Sequence, residues 1–336
     1  MSQVQSELIV SEEIIDAIVR SEQQFCLEIR KCDPREAIDN LVNGYKGAYF
    51  HIEPFLGSYT EPKILEIGSG NGFGLCYLLK QGLEVVGIEP GELSFDGRFQ
   101  RAINLLELNG IKPATARLLN AFAEKLPFED NTFDIVFSVA VLEHVKDVER
   151  SMREALRVTK PDGLVIMNVP NYNSFREGHY NILWLPYLLA RKSLAKWYVR
   201  NIFRRPDYYI DELNFTTPGH FRKMAEALPE CREMQIYRLC DPPFAALSGR
   251  YYMRGLSLLM DGDKEHKHYT AREVSIYRGI RTLRGRLRYG LHLAGKRLSF
   301  SLMGLSLKLL SALGLSPVFN VVCTKRVAST DATTAK

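Results

Sequence analysis

Ile64-Leu65-Glu66-Ile67-Gly68-Ser69-Gly70-Asn71-Gly72-Phe73-Gly74 opens on an apolar run and closes in a glycine-rich turn. Ile64, Leu65 and Ile67 have the length and character of a strand buried on both faces. A helical pattern follows the turn (Phe73, Leu75, Leu78, Leu79). Strand, glycine turn and helix together predict a nucleotide-binding hairpin. Gly68 and Gly70 let the backbone adopt positive φ and approach a ligand closely. The helix start then offers unpaired N–H groups to an anionic group.

Two ligand classes use such a hairpin. A dinucleotide site wants G-x-G-x-x-G, and the third glycine would fall at position 73, which is Phe73. The order here is Glu66-x-Gly68-x-Gly70-x-Gly72, with an acid inside the strand. A carboxylate so close to the turn disfavours a pyrophosphate and suits a zwitterionic amino-acid tail. The expected cofactor is therefore S-adenosyl-L-methionine (SAM) rather than NAD. Val85-Val86-Gly87-Ile88 reads as the second strand, ending in Glu89, an acid placed to accept from both ribose hydroxyls.

At these residues the chain resembles the class I SAM-dependent methyltransferases, in the small-molecule group that includes ubiquinone and menaquinone biosynthesis enzymes. The resemblance continues through Ala123-Glu124-Lys125-Leu126-Pro127-Phe128-Glu129-Asp130-Asn131-Thr132-Phe133-Asp134. It runs on through Ile135-Val136-Phe137-Ser138-Val139 and Val141-Leu142-Glu143-His144-Val145 to Pro161-Asp162-Gly163, the turn into a fifth strand. These motifs stand in family order over residues 60–170. The resemblance implies an α/β fold, a Rossmann-like seven-stranded sheet whose last strand is antiparallel, with helices on both faces and helical insertions.

The expected strands lie near 63–67, 84–88, 115–119, 134–139 and 163–168. The clearest helices lie near 72–81, 95–109 and 147–158. The chain divides into N-terminal helices (1–58), a SAM-binding core (59–170), an acceptor-side insertion (171–215), a core helix and strand (216–240), a basic and apolar helical insertion (241–315), the last core strand (316–326) and a tail (327–336). Thr217-Pro218 supplies a cap and a first-turn proline for the returning helix.

The resemblance also distributes the cofactor site. It places Glu66 near the SAM ammonium, Gly68, Ser69 and Gly70 in the turn, Glu89 on the ribose, and Ser138 at the carboxyl edge of the fourth strand. Gly91 and Leu93 follow the ribose acid toward the adenine. Family members carry an acid at position 122, where this chain has Phe122. Stacking on the purine and a shifted loop both fit that departure, and Ala123 still offers its backbone N–H to the base. Glu124 reads as loop support. His144 and His179 are the catalytic candidates, the first in a Leu-Glu-His pattern, the second in Glu177-Gly178-His179-Tyr180 after the fifth strand. His220 reads as part of a helix start.

The 336 residues carry a mild net charge of +5, which does not by itself imply nucleic acid, and no nucleic-acid partner is expected. The six cysteines show no metal-ligand spacing, so no metal is expected, and they read as buried reduced thiols. The N-terminal segment has no basic stretch leading into an apolar core, and no uncharged run reaches the ~20 residues that span a bilayer. The expectation is a cytoplasmic protein, with a place at the inner face of the membrane as an extension. That extension rests on residues 182–205, where both tryptophans lie among cations, and on the basic 272–297 stretch before the apolar Leu298–Leu315 run. The two insertions read either as a lid or as contact with an anionic membrane surface. The expected function is O-methylation of a glycan, lipid-linked or hydrophobic small-molecule acceptor. Its alternatives are N- or C-methylation of a small metabolite and SAM binding without turnover.

Overall fold

A computed structural model describes residues 8–44, 46–91, 97–238, 241, 243–244 and 318–327. The expected insertion at 241–315, with its basic and apolar stretches, falls almost wholly outside the described residues, as do Leu93, Cys240 and nearly all of the tail.

Three helices precede the sheet: α1 (Glu12–Gln24), α2 (Pro34–Asn43) and α3 (Gly47–Leu56). Ser11 caps α1 by accepting from the Ile14 N–H, and Asp33 caps α2 by accepting from Glu36, with Pro34 in the first turn. A π-helical turn, Phe25–Arg30, joins α1 to α2 and ends at Lys31 in the left-handed region.

The core then alternates strand and helix: β1 (Lys63–Ile67), α4 (Phe73–Lys80), β2 (Glu84–Ile88), α5 (Arg98–Leu108), β3 (Leu118–Leu119), β4 (Phe133–Val139), α6 (Val148–Val158) and β5 (Thr159–Pro170). β6 (Arg176–Glu177) and β7 (Ile182–Leu183) form a small separate hairpin, followed by α7 (Lys192–Asn201). The sheet is completed by α8 (Pro218–Glu226), β8 (Cys231–Arg238) and β9 (Val318–Lys325). Thr217 accepts from the His220 N–H at the start of α8, which is the helix start expected there.

The seven strands run in the order β3-β2-β1-β4-β5-β9-β8. The first five are parallel, and β9 lies antiparallel to both neighbours. This is the expected sheet, last strand included. β3 is shorter than expected because it pairs only with the end of β2, at Gly87 and Ile88. β5 is longer, because its pairing with β4 starts at Thr159 and shifts register before Leu164.

α6 shows how the sheet is covered. Asp147 accepts from Arg150 N–H at its start, and Val148, Met152, Ala155 and Leu156 form the buried stripe. Those side chains pack with Leu65, Val136, Val165 and Val321 in the main core. Each such fully buried aliphatic side chain stabilises by ~1.5–3 kcal/mol relative to exposure. Asp134, at the start of β4, accepts from the Lys63 N–H and pairs with Lys160, tying the first turns of β1 and β5 together.

The 171–215 segment has its own core. Tyr180, Trp184, Val199, Ile210 and Leu213 are buried there together with Ile29 from the π-helical turn. Phe25 meets Tyr209 at 4.9 Å between ring centroids, so the N-terminal helices and the insertion pack as one layer. The two tryptophans therefore differ: Trp184 is fully buried, whereas Trp197 is 57% exposed.

The cysteines depart from the reading as reduced thiols. Cys231 and Cys323, on adjacent antiparallel strands, form a disulfide with 6.1 Å between Cα atoms. Cys26, Cys32 and Cys76 are free thiols. Burial pushes the Cys26 and Cys76 thiols up to about 11, which leaves them protonated and unreactive.

Candidate active site

In an open parallel sheet, ligands collect outside the carboxyl ends of the strands where strand order reverses. Here β1 is flanked by β2 and β4, so that point lies at Ile67, where the glycine turn begins. Gly68 and Gly70 have φ of +75° and +56°. Gly68 is required twice over, since a Cβ there would overlap the Val141 side chain. At Gly70 a Cβ would meet nothing within 4 Å, so the turn backbone faces open space.

Two buried carboxylates flank that space. Glu66 sits in β1 with Oε2 buried and without a hydrogen-bond partner, and the Ser69 hydroxyl beside it, near enough to favour the charged carboxylate, makes no well-formed hydrogen bond. The missing Cβ of Gly74 makes room for Glu66, whose Oε1 lies 2.8 Å from where that carbon would be. Burial pushes the Glu66 carboxyl up to about 7, with Ser69 pulling it back and Glu89 adding a further push. Glu89, at the tip of β2, accepts from the Gly70 N–H at 2.8 Å. Burial raises the Glu89 carboxyl, opposed by that bond and by Arg98.

A buried carboxylate without a partner is costly unless a ligand supplies a donor. The ammonium of an amino-acid tail supplies that donor for Glu66, and a ribose supplies hydroxyls for the Glu89 oxygen that Gly70 leaves over. The donor set therefore fits SAM. Phe122 is 39% exposed and Ala123 is buried, on a short bridge in which Lys125 N–H donates to the Phe122 carbonyl. Asn120 was not singled out from the sequence, yet its Oδ1 accepts from Gly91 N–H at 2.8 Å and fixes the segment after Glu89. The Ser138 hydroxyl is spent inside the sheet on Met167 Sδ, at 2.9 Å, so Ser138 offers a ligand its main chain. Glu124 Oε1 accepts from Lys146 N–H, which is loop support.

The loop after β4 carries Val141 against Gly68 and, two residues on, Glu143 and His144. Asn214 pins this loop: its N–H donates to the Glu143 carbonyl at 2.7 Å, and its side-chain amide to Leu142 and Val145. The 171–215 segment brings Glu177 and His179 to the same place. His179 and His144 meet edge to face, 5.1 Å between ring centroids, with the Tyr209 ring beside both. His179 Nδ1 lies 2.7 Å from Glu177 Oε1, and Glu177 Oε2 accepts from Tyr180 N–H at 2.6 Å.

The four groups titrate differently. Burial works against charge on both members of the Glu177–His179 pair, but their mutual bond wins: Glu177 is lowered and His179 raised. Burial pushes Glu143 up to about 7. Burial, aided by His179 and Arg98, pushes His144 down to about 3, which makes it a neutral imidazole at physiological pH. The structure thus brings the two histidine candidates together and adds two carboxylates. Glu143 and Glu177 were legible only as neighbours of the histidines.

A family model described as a methyltransferase domain matches residues 65–167. A methyltransferase of unknown substrate from Mycobacterium sp. (strain KMS) is 32% identical over 157 residues, covering 47% of this chain and 57% of its own length. A sterol 4-C-methyltransferase of Caenorhabditis elegans is 27% identical over 168 residues, 48% of each chain. The chain thus spans about half the length of the curated relatives it matches. Among solved structures, phosphoethanolamine N-methyltransferase 2 of Haemonchus contortus with bound SAM aligns over 95% of this chain and 61% of its own, at 16% identity and a TM-score of 0.47. A SAM-dependent methyltransferase of Thermotoga maritima aligns over 94% and 99%, at 15% identity and a TM-score of 0.43. None of these singles out the ubiquinone and menaquinone group. Residues 65–167 are a class I SAM-dependent methyltransferase domain.

Proposed function

We propose that the whole chain is a SAM-dependent methyltransferase that acts on an oxygen of a glycan, lipid-linked or hydrophobic small-molecule acceptor. The single observation that carries the cofactor half is the open turn at Gly70 between the unpartnered Glu66 carboxylate and Glu89. In this reading Glu66 faces the ammonium of the methionine end, Gly68, Ser69 and Gly70 cradle that end, and Glu89 takes the ribose. Phe122 covers the adenine, Ala123 N–H bonds it, and the main chain of Ser138 borders the cleft.

When bound, SAM supplies a sulfonium methyl group. Transfer to oxygen requires in-line approach and loss of the hydroxyl proton. His179 and His144 are the groups assigned to the acceptor end. Both rings keep slight exposure, and the His144 loop touches the glycine turn through Val141. The pinned loop and the aromatic wall of Tyr209 orient the acceptor and exclude bulk water.

The acceptor class rests on the surface of the 171–215 segment. Leu183, Tyr187, Leu188, Trp197 and Ile202 are exposed, beside exposed Arg191 and Arg204. Aromatic and aliphatic side chains among cations suit an anionic interface that delivers a lipid-linked acceptor. Among the described residues no helix is long and apolar enough to cross a membrane. Tritium transfer from labelled SAM into cell extract, split into lipid and aqueous fractions, tests the proposal. Label is expected in the lipid fraction or in a glycan released from it. Label in a small amine alone contradicts the oxygen acceptor, and no label contradicts turnover.

A further inference from the structure

The cluster of Glu143, His144, Glu177 and His179 has more polar capacity than proton transfer uses. One oxygen of Glu143, one nitrogen of His144 and one nitrogen of His179 all lie within 4.8 Å of one another. Glu143 Oε2 is buried with no hydrogen-bond partner. Among the described residues, neither Glu143 nor Glu177 has a lysine or arginine at ion-pair distance; Glu143 has only the His144 imidazole at 3.9 Å, whereas Glu177 is satisfied by His179, the Tyr180 N–H and the Tyr172 hydroxyl. Glu143, a buried carboxylate with one oxygen unpartnered, is the uncompensated group of the cluster.

Glu177 gives the arrangement a direction. Because it holds His179 through Nδ1 at 2.7 Å, Nε2 is the nitrogen left to bind something else. A carboxylate on the far nitrogen of a ligating histidine is the usual second layer of a metal site, fixing the tautomer and the ring. Both supporting loops are already braced, one by Asn214 and the other by Glu177 on Tyr180 N–H.

We propose that Glu143, His144 and His179 bind one divalent first-row transition ion, with Glu177 as the positioning residue of His179. One carboxylate and two imidazoles favour ions of the manganese-to-zinc series over calcium or magnesium. Bonds to such donors are about 2.0–2.2 Å, so binding draws the three side chains together by on the order of an ångström. This deepens the reading above and rests on it in one respect, that the acceptor oxygen reaches this cluster. There the ion would coordinate the acceptor hydroxyl and acidify it. The hydroxyl proton leaves to water, and the oxygen then forms its bond to the methyl carbon as the carbon–sulfur bond breaks.

The test uses the full chain without an affinity tag, stripped with chelator and titrated calorimetrically with Co²⁺ and with Zn²⁺ alone. One equivalent is expected to bind. Glu143→Gln and His179→Asn should each weaken binding at least tenfold, and Glu177→Gln by about 10–100-fold. SAM titration of the same preparations shows that each variant is folded. A chain that binds SAM but takes up no ion overturns the proposal, as does an ion whose affinity none of the three substitutions changes. Failure of SAM binding would instead strike the functional reading, and the ion titration is read independently of it.

Discussion

Raising the pH from 6 to 7.5 should tighten SAM binding, and Glu66 is the reason. In the free protein its carboxyl titrates at about 7, because burial penalises the charge and nothing donates to Oε2. The SAM ammonium demands the ionised form. With a pKa near 7, roughly a tenth of Glu66 is ionised at pH 6 and about three-quarters at pH 7.5. Apparent affinity scales with the competent fraction, so the dissociation constant should fall roughly eightfold over that interval. The stability of the free protein moves the other way. A folded pKa above the unfolded value contributes stability that is fully present below about pH 4.5 and is lost as pH rises through about 7. The gap between those two values corresponds to about 3 kcal/mol, which ligand binding relieves. Isothermal titration in two buffers of different ionisation enthalpy is the assay. Glu66 should release nearly one proton per SAM at pH 6, and about a quarter of one at pH 7.5. Glu66→Gln should bind more weakly at pH 7.5, with an affinity that varies less than twofold across the range. A wild-type affinity that is flat with pH, or a Gln variant that keeps the full dependence, refutes the reasoning.

Four further outcomes are expected. Glu89→Ala should weaken SAM by about 10–100-fold, since hydrogen bonds to a charged group contribute ~1.5–3 kcal/mol; unchanged affinity in calorimetry would remove Glu89 from the ribose. His179→Asn should lower kcat at least 100-fold with little change in SAM affinity, measured by methyl transfer once an acceptor is in hand. Trp184→Ala should cost about 3–5 kcal/mol in denaturant unfolding because the indole is fully buried in the second core. Trp197→Ala, at an exposed position, should change stability by less than about 0.5 kcal/mol yet reduce flotation with anionic vesicles; equal flotation of both proteins would remove the membrane contact.

Legibility followed sequence range. β1, the glycine turn and the Glu89 tip occupy one continuous stretch, and their pattern of apolar run, turn and acid is local. The α8 start was legible because Thr217-Pro218 is itself the cap and first turn. The disulfide was not, since Cys231 and Cys323 are 92 residues apart and meet only through β8–β9 pairing. Trp184 and Trp197 look alike in sequence and differ in burial because only the first faces the layer built with Ile29. Part of the acceptor-side cluster carried a signal: Glu177 and His179 stand two apart in a tight hairpin, a spacing that brings their side chains together. Their meeting with Glu143 and His144 depends on where the insertion folds back, which no local pattern encodes.

The central claim is that the bend from Glu66 to Gly72 grips SAM. Calorimetric titration of the full chain with SAM, S-adenosylhomocysteine and NAD tests it most directly. One SAM should bind per chain, S-adenosylhomocysteine should displace it, and NAD should give no heat. Binding of NAD with none of SAM would contradict the account.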